Sequence, residues 1–318
     1  IKNKGTFTAA SYNVDGLPNI QVDLLITKIQ LNPDGPLEDG TNSISQKLAA
    51  DAWDIIAFQE DFNFHDNLIS SMKDIYTFGN HRGTVGKAQV VSQADTDGLG
   101  FATLNSTSSF ANQTFVEFTE KYGGLTSGAN DCIKKGFRYY TVTLKGGAEI
   151  DVYVTHMNSG SDSGHISARQ SQFKQLAEYI VAHDNGRPVL ILGDFNARYT
   201  RDDFGNYFWA NLGDKVNYFS DAWVELVDKY DINGKLLYSA GEYPEYGTYS
   251  LVVTEKYSSD NTVNDIHCTT QGGEVVDKIL YINNPNSDVA IFANSFERDM
   301  DYTEADHAPV VSEFTYYY

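Results

Sequence analysis

Residues 189–196 read VLILGDFN, and this abrupt change from apolar to polar side chains is the most informative stretch of the sequence. A continuous apolar run is typical of a strand that is buried on both faces. In extended backbone Asp194 and Asn196 point to the same side, while Phe195 packs on the other. Gly193 leaves room for backbone to approach a ligand closely. The same letters also fit an Asx turn, so this stretch alone leaves its function open.

Similar strand patterns recur along the chain, with a few helical patterns between them. They occupy residues 6–13, 54–59, 99–105, 137–144, 150–155, 278–283 and 309–314, in addition to 189–192. A helix is predicted over residues 168–183, because their apolar side chains share one stripe and Asn185-Gly186 follows as a stop signal. The stripe consists of Phe173, Leu176, Ala177, Ile180 and Val181. A second helix is predicted over residues 43–52, with Ile44 and Leu48 on its buried side.

Strands interleaved with a few helices predict an α/β or α+β sandwich, in which two mixed β-sheets pack face to face and helices flank them. The chain has 318 residues, 41% of them hydrophobic, which is enough to bury one large core. Seven scattered prolines and the lack of a Pro-rich or Ser-rich linker predict a single domain over residues 1–318.

The charge of the chain limits the partners it can attract. There are 23 basic and 43 acidic residues, a formal net charge of −20, which repels nucleic acid and anionic lipid surfaces. No apolar run is long enough to cross a bilayer, and the sequence starts at Ile1 without an initiator Met. We therefore expect an exported, monomeric protein without stable membrane insertion, from which any export signal has been removed.

Two features of the composition keep alternatives open. Residues 241–318 contain 3 basic and 14 acidic residues, which form either a solvated acidic face or, in part, the carboxylates of a metal site. Cys132 and Cys268 are either joined in one disulfide, which would fit an exported protein, or are two separate thiols.

Polar residues with complementary chemistry stand at the ends of the predicted strands. Glu60 follows one strand and offers a carboxylate for a hard cation. His156 ends another and would be free to contact a substrate. Asp277 opens a strand and His307 precedes one, so the two can form a carboxylate–imidazole pair that takes a proton from water. Asp306 would be a second oxygen ligand. Taken singly, each of these residues fits a turn, an exposed position or the core better than a functional site.

The remaining histidines lack this strand-end context. They are His65, His81, His165, His183 and His267. The sequence contains no HExxH, GxSxG, Walker A or GxGxxG motif, which excludes the common zinc peptidase, serine hydrolase and nucleotide-binding signatures.

Six short motifs in chain order resemble the endonuclease/exonuclease/phosphatase superfamily, which includes deoxyribonuclease I and the neutral sphingomyelinases. The motifs are SYN, FQE, THMNSG, LGDFN, DKI and DHAPV, and they extend over nearly the whole chain. The resemblance implies a four-layer deoxyribonuclease I-like fold and Mg²⁺-dependent hydrolysis of phosphate esters, with Mn²⁺ or Ca²⁺ as substitute ions. Whether one ion or two are bound stays open.

The resemblance also implies a role for each matched residue. Glu60 would hold the metal, with Asn13 and Asp306 near it. His307, oriented by Asp277, would polarise the attacking water. The residues expected to position the water or to contact the phosphate are Asp194, Asn196 and His156.

Within the superfamily, the sequence looks most like the neutral sphingomyelinase branch. Residues 131–137 (DCIKKGF), the motif THMNSG and the helical segment beginning Ala168-Arg169-Gln170 carry this likeness. They favour a phosphodiesterase acting on a lipid headgroup or a small phosphodiester. The alternative is an endonuclease or exonuclease acting on DNA or RNA, and a catalytically inactive binding module ranks below both.

Each of these alternatives depends on particular surface residues. A lipid enzyme needs exposed apolar side chains, which Tyr207-Phe208-Trp209 or Tyr218-Phe219 would supply unless they pack in the core. A nuclease needs basic contacts to phosphates, for which Arg198 and Arg201 are the best candidates beside the GDFN motif.

Overall fold

The computed structural model describes residues 2–88, 92–197, 207–226 and 275–318. The strands in these ranges are β1 (Lys4–Asn13), β2 (Ile20–Leu24), β3 (Thr27–Leu31), β4 (Ile55–Gln59), β5 (Tyr76–Phe78), β6 (Gly100–Leu104), β7 (Ser108–Glu117), β8 (Gly136–Leu144), β9 (Glu149–His156), β10 (Val189–Asp194), β11 (Phe219–Asp221), β12 (Asp277–Ile282), β13 (Ala290–Ala293), β14 (Glu297–Arg298) and β15 (Val310–Tyr317). The α-helices are α1 (Leu37–Asp51), α2 (His65–Ile69), α3 (Ser163–Ala182) and α4 (Ala222–Leu226). Short 3₁₀ helices occupy Asn130–Cys132, Trp209–Asn211 and Gly213–Tyr218.

The strands form two mixed sheets and one separate hairpin. The first sheet has the order β13-β15-β1-β4-β6-β5, with β14 added to β15, and the second has the order β11-β12-β10-β9-β8-β7. Within the described ranges, β1 with β4 and β9 with β10 are the parallel pairs, and the other pairs are antiparallel. The β2–β3 hairpin stands apart from both sheets.

The two sheets pack face to face, and the side-chain alternation of β1 shows how. Phe7 and Ala9 belong to the core between the sheets, whereas Ala10 and Tyr12 pack outward beneath α1 and α2. The helix α3 covers the second sheet, where Tyr179 contacts the rings of Phe137 and Tyr153. The predicted architecture of two packed sheets flanked by helices, of the α+β class, is therefore confirmed.

The eight predicted strands are present, and both predicted helices are longer than expected. α3 begins at Ser163 because the Asp162 carboxylate accepts hydrogen bonds from the amides of Gly164 and His165. Val181 is 40% exposed, so its placement on the buried stripe was wrong. In the part of the chain described here, no helix is long and apolar enough to cross a membrane.

Some of the residues singled out in the sequence lie outside the described ranges, and others are buried in the core. Arg198, Arg201, His267 and Cys268 lie outside the described residues, so the predicted basic contacts and the Cys132–Cys268 alternatives stay predictions. The aromatic cluster offered for membrane contact is mainly core: Phe208 and Phe219 are fully buried, and Trp209 is nearly so. Tyr218 is half exposed. Because Phe208, Trp209 and Phe219 are buried, these aromatic residues form no continuous apolar surface.

Candidate active site

The polar residues that end the central strands meet at one end of the two sheets. Asn13 ends β1, and Glu60 directly follows β4, its parallel neighbour. His156 and Asp194 end the parallel strands β9 and β10 and are direct partners in the register of the second sheet. The carboxyl ends of parallel strands share one edge, and the packing of the sheets brings these two edges together.

Asp277 and His307 reach the same place from antiparallel strands. Asp277 opens β12 and pairs with Asp194 in the register, and His307 precedes β15, which runs antiparallel to β1. Nδ1 of His307 lies 2.7 Å from Oδ2 of Asp277, and Nε2 lies 3.7 Å from Oδ2 of Asp194. One imidazole nitrogen is thus held by a carboxylate, and the other faces a second carboxylate.

A cavity of about 300 Å³ opens at this point. Its polar wall contains Glu60, Lys135, His156, Ser159, Asp194, Asn196, Asp306 and His307. Its apolar wall contains Leu17, Leu31, Phe62, Val85 and Ile133. A concave site with convergent polar groups on one side and apolar groups on the other suits a small amphiphilic ligand.

Asn13 links the carboxylates of the two sheets. Its Nδ2 donates to Oε1 of Glu60 at 3.0 Å and to Oδ2 of Asp194 at 3.1 Å. Its Oδ1 accepts the backbone N–H of Asp15 at 3.0 Å, which leaves a second lone pair on that oxygen. The amide therefore orients Glu60 and Asp194, and it can approach a metal only through this oxygen.

The GDFN turn fixes Asp194 and Asn196 through local hydrogen bonds. The backbone N–H of Asn196 donates to Oδ1 of Asp194 at 2.9 Å, and its side-chain Nδ2 donates to the Met157 carbonyl at 3.0 Å. The predicted Asx-type turn is thus present. Because Asn196 also lines the cavity, turn geometry and access to a ligand are compatible here.

Three residues at or beside the cavity adopt backbone conformations that ordinary side chains avoid. Glu60, Asp15 and Asn196 have φ values of 57°, 51° and 50°. A left-handed conformation costs a residue such as glutamate about 1–2 kcal/mol. Such strain persists where the surrounding structure enforces it, and it is concentrated at functional sites.

The glycines near the site make room for neighbouring backbone. A Cβ on Gly193 would lie 2.6 Å from the carbonyl oxygen of Thr155 on β9. This glycine therefore serves the packing of adjacent strands, and not the close approach of a ligand that the sequence suggested. A Cβ on Gly16 would lie 2.3 Å from the carbonyl oxygen of Glu60, whose position Gly16 also fixes by donating its N–H to that oxygen.

Negative charge is concentrated on one side of the cavity. Burial, with the nearby charge of Asp306, raises the pKa of Glu60 above its ordinary value. Burial, followed by the charges of Glu60 and Asp306, raises the pKa of Asp15 to about 8. These carboxyl groups oppose each other's ionisation, and a bound cation would relieve that repulsion.

Imidazole and ammonium groups lie close to these carboxylates, and Nε2 of His156 is 3.9 Å from Oε1 of Glu60. Burial, reinforced by the charge of Lys135, lowers the pKa of His156 to about 3, so this ring is neutral at physiological pH. Burial alone would lower the pKa of His307, but the carboxylates of Asp277 and Asp194 raise it well above its ordinary value. Burial would raise the pKa of Asp194, but the charges of His307 and His156 hold it below the ordinary value.

Lys135 and Asp15 belong to the site although the sequence did not single them out. Burial lowers the pKa of Lys135 to about 8, and its Nζ donates to the Met157 carbonyl at 2.7 Å. Lys135 lies within the KKGF segment that resembles the sphingomyelinase branch, and this is the one signal in the sequence that could have identified it. Asp15 stands just beyond the SYN motif and carries no such signal.

The donor atoms at this site fit a hard divalent cation. Glu60, Asp306 and the second lone pair of Asn13 offer oxygen, which Mg²⁺ prefers. A second combination, Asp194, Asp277 and His307, has ligand atoms within 4.8 Å of one another. Asp306 is exposed and lines the cavity, so it is accessible to an ion from solvent.

Comparison with known proteins places these features in a family. The model of endonuclease/exonuclease/phosphatase family 2 matches residues 11–313. Sphingomyelinases of Mycobacterium bovis and Mycobacterium tuberculosis are 28% identical over 223 residues, 70% of this chain; the chain spans 39% of the length of these relatives.

Solved structures show the same fold at low sequence identity. Sphingomyelinase C from Streptomyces griseocarneus has a TM-score of 0.58 at 15% identity, with 97% of this chain and 98% of that chain covered. The human Nocturnin catalytic domain has a TM-score of 0.60 at 16% identity, with 98% and 96% covered. With a family match that extends from β1 to β15 and a deoxyribonuclease I-like fold, the chain belongs to endonuclease/exonuclease/phosphatase family 2, whose members are hydrolases of phosphate esters.

Proposed function

We propose that this chain is a Mg²⁺-dependent phosphodiesterase that hydrolyses the phosphodiester of a lipid headgroup, in the manner of a sphingomyelinase. The observation that carries this proposal is the His307–Asp277 pair. The 2.7 Å contact fixes the ring through Nδ1 and leaves Nε2 facing the cavity. The neighbouring carboxylates raise the pKa of the ring, and the charge of a bound cation would lower it again, so that Nε2 could accept a proton from water. A carboxylate on the other nitrogen stabilises the imidazolium that forms.

The metal would be held on the acidic side of the cavity. Glu60 is the main ligand in this proposal, with Asn13 and Asp306 beside it, and Mn²⁺ or Ca²⁺ can substitute because they also prefer oxygen. A bound Mg²⁺ supplies Lewis-acid polarisation of the phosphoryl group. Glu60 is positioned for this by the hydrogen bond from Asn13 and by the contact of its carbonyl with Gly16.

Neutral and cationic side chains beside the acidic residues would bind the phosphate oxygens. The neutral His156 can donate a hydrogen bond without carrying a charge, and Lys135 supplies a positive charge close to it. Asn196 is held at the cavity by the GDFN turn. Asp194, placed between His156 at 3.6 Å and His307 at 3.7 Å, would orient the water and both rings.

The β2–β3 hairpin supports a lipid substrate. Its turn consists of Leu25 and Ile26, both fully exposed, and Leu17 and Leu31 near its base line the cavity. Two branched apolar side chains at the end of a hairpin can enter the interfacial region of a bilayer without a stable insertion. The net charge of −20 favours a zwitterionic surface over an anionic lipid or a nucleic acid. We further propose that the enzyme is exported and acts as a monomer.

The test compares turnover of sphingomyelin vesicles and of plasmid DNA in the presence of Mg²⁺. We expect phosphocholine release without nicking of DNA, and no turnover with EDTA or in His307→Ala. Nicking of DNA alone would replace the proposal with a nuclease. Failure of both reactions in the Mg²⁺-loaded wild type would favour a binding module.

A variant of the hairpin separates lipid contact from chemistry. The double variant Leu25→Ser/Ile26→Ser should lower turnover of vesicles and leave turnover of a short-chain, water-soluble phosphodiester unchanged. Phe292→Ser is the matched control, because Phe292 is also exposed but lies on the distant edge strand β13. Equal vesicle turnover in the hairpin variant and the wild type would remove the hairpin from the proposal.

A further inference from the structure

Asp61, His65 and His81 form a second group of metal-binding side chains outside the catalytic pair. Asp61 follows Glu60 beyond β4, His65 opens α2, and His81 lies in the loop after β5. One ligand atom of each residue lies within 4.8 Å of the others. The two histidines lacked a strand-end context in the sequence, and only the fold brings them to the same aspartate.

Asp61 holds both imidazoles. Nδ1 of His65 lies 2.7 Å from Oδ2 of Asp61, and Nε2 of His81 lies 3.0 Å from the carbonyl oxygen of Asp61. The two rings are stacked, with centroids 4.1 Å apart and planes 12° from parallel. Each ring keeps a second nitrogen that is not used in these two contacts. Metal-bound histidines commonly have such an arrangement, in which the other ring nitrogen is fixed by a carboxylate or a carbonyl.

The carboxylate itself is buried and incompletely satisfied. The Asp61 side chain is 2% exposed, and its Oδ1 has no hydrogen-bond partner within the described ranges. A buried polar oxygen without a partner is costly, and coordination of a cation would remove that cost. Gly100 makes room for the carboxylate, because a Cβ there would lie 2.7 Å from Oδ2. His65 is 17% exposed, so an ion can enter from solvent.

The chemistry of these donors differs from that of the catalytic cavity. One carboxylate with two imidazoles is a ligand set that Zn²⁺ and its neighbours in the first transition row accept, with water in the fourth position. We propose that Asp61, His65 and His81 bind a divalent late transition-metal ion at a site separate from the oxygen-ligated Mg²⁺ site. Zn–N and Zn–O bonds of about 2.0–2.2 Å place ligand atoms about 3.3 Å apart in a tetrahedron, so the three ligand atoms, which lie within 4.8 Å of one another, would move closer together on binding.

The surrounding charges are compatible with a bound cation. Arg138 acts on His65, and its guanidinium is paired with Asp97 by two hydrogen bonds of 2.8 and 2.9 Å. Arg82, which follows His81, is paired with Asp95 at 2.8 Å. These pairings compensate the two positive charges. Asp66 adds a negative charge that acts on His65. The site therefore has net negative surroundings even though the two imidazoles are neutral when they bind metal.

Cobalt(II) is the probe for this site because its visible absorption reports its ligands and geometry. Tag-free protein, with excess Mg²⁺ to occupy the oxygen-ligated site, is titrated with Co²⁺ and then with Zn²⁺. We expect one Co²⁺ per chain with the intense bands of tetrahedral, nitrogen-ligated cobalt, and their loss when Zn²⁺ displaces it. Affinity should fall by about 10–100-fold or more in His65→Ala and in His81→Ala.

Two controls make the result decisive. His183→Ala removes an exposed histidine at the end of α3 and should bind Co²⁺ as the wild type does. His307→Ala should also retain the bands. Loss of the bands in His307→Ala, or their retention in both His65→Ala and His81→Ala, would overturn the proposal. Circular dichroism without metal checks that each variant is folded, and His81→Gln replaces any variant that is not.

Discussion

Replacing Asp277 with asparagine tests the role of the His307–Asp277 pair. The change removes a carboxylate that lies 2.7 Å from Nδ1 of His307 and keeps the size of the side chain. Both groups are well shielded from water, with side-chain exposures of 11% for His307 and 1% for Asp277. Solvent therefore screens their interaction only weakly, and a large effect on turnover is expected.

The magnitude follows from the lost hydrogen bond. A hydrogen bond to a charged group contributes about 1.5–3 kcal/mol, which corresponds to a fall in kcat of about 10–150-fold. If the asparagine amide donates to Nδ1, the proton of His307 is held on Nε2 and the ring can no longer accept one from water. The loss then approaches about 10⁴-fold, as for a catalytic histidine held in the wrong tautomer.

The assay is the Mg²⁺-dependent release of phosphocholine, with kcat and KM measured separately. We expect kcat to fall and KM to stay nearly unchanged, because Asp277 acts on His307 and not on the substrate. Asp151→Asn is the matched control: Asp151 is a buried carboxylate of the same sheet, accepts a hydrogen bond from Tyr139 at 2.9 Å and lies far from the cavity. Wild-type kcat in Asp277→Asn would refute the reasoning, as would an equal loss in Asp151→Asn.

Three further changes probe the site and its support. Glu60→Gln should raise the Mg²⁺ concentration needed for half-maximal activity by about 10–100-fold, measured by titration; an unchanged midpoint would argue against Glu60 as a ligand. Gly16→Ala should destabilise the fold by about 1–3 kcal/mol and lower kcat, since its Cβ would displace the Glu60 carbonyl; full activity would contradict this. Arg138→Met should cost about 3–5 kcal/mol in urea unfolding by leaving the buried Asp97 unpaired, and a loss below about 1 kcal/mol would contradict it.

The central strands could be predicted from the sequence because their apolar side chains indicate that they are buried. The run at 189–192 is apolar throughout, and it lies in the middle of a sheet covered on both faces. β2 and β3 were missed although both alternate apolar and polar residues, because the turn between them, Leu25-Ile26, contains none of the Asn, Asp or Gly residues that usually indicate a two-residue hairpin. The start of α3 was also missed, since Asp162 was not identified as its cap.

The site was predictable to the extent that its residues mark the ends of strands. Asn13, His156 and Asp194 stand where an apolar strand becomes polar, and this change is visible in the sequence. Lys135 carries no such signal, because its place in the site depends on a tertiary contact, the hydrogen bond from its Nζ to the Met157 carbonyl. The grouping of Asp61 with its two histidines depends likewise on tertiary packing.

The position of β15 determines when the enzyme can first act. This strand lies between β13 and β1, and its register joins Thr6 to Thr315. His307 comes just before it, so the catalytic pair forms only after residues from both ends of the sequence have met in one sheet. A chain whose residues 307–317 have not yet left the ribosome therefore has no complete site.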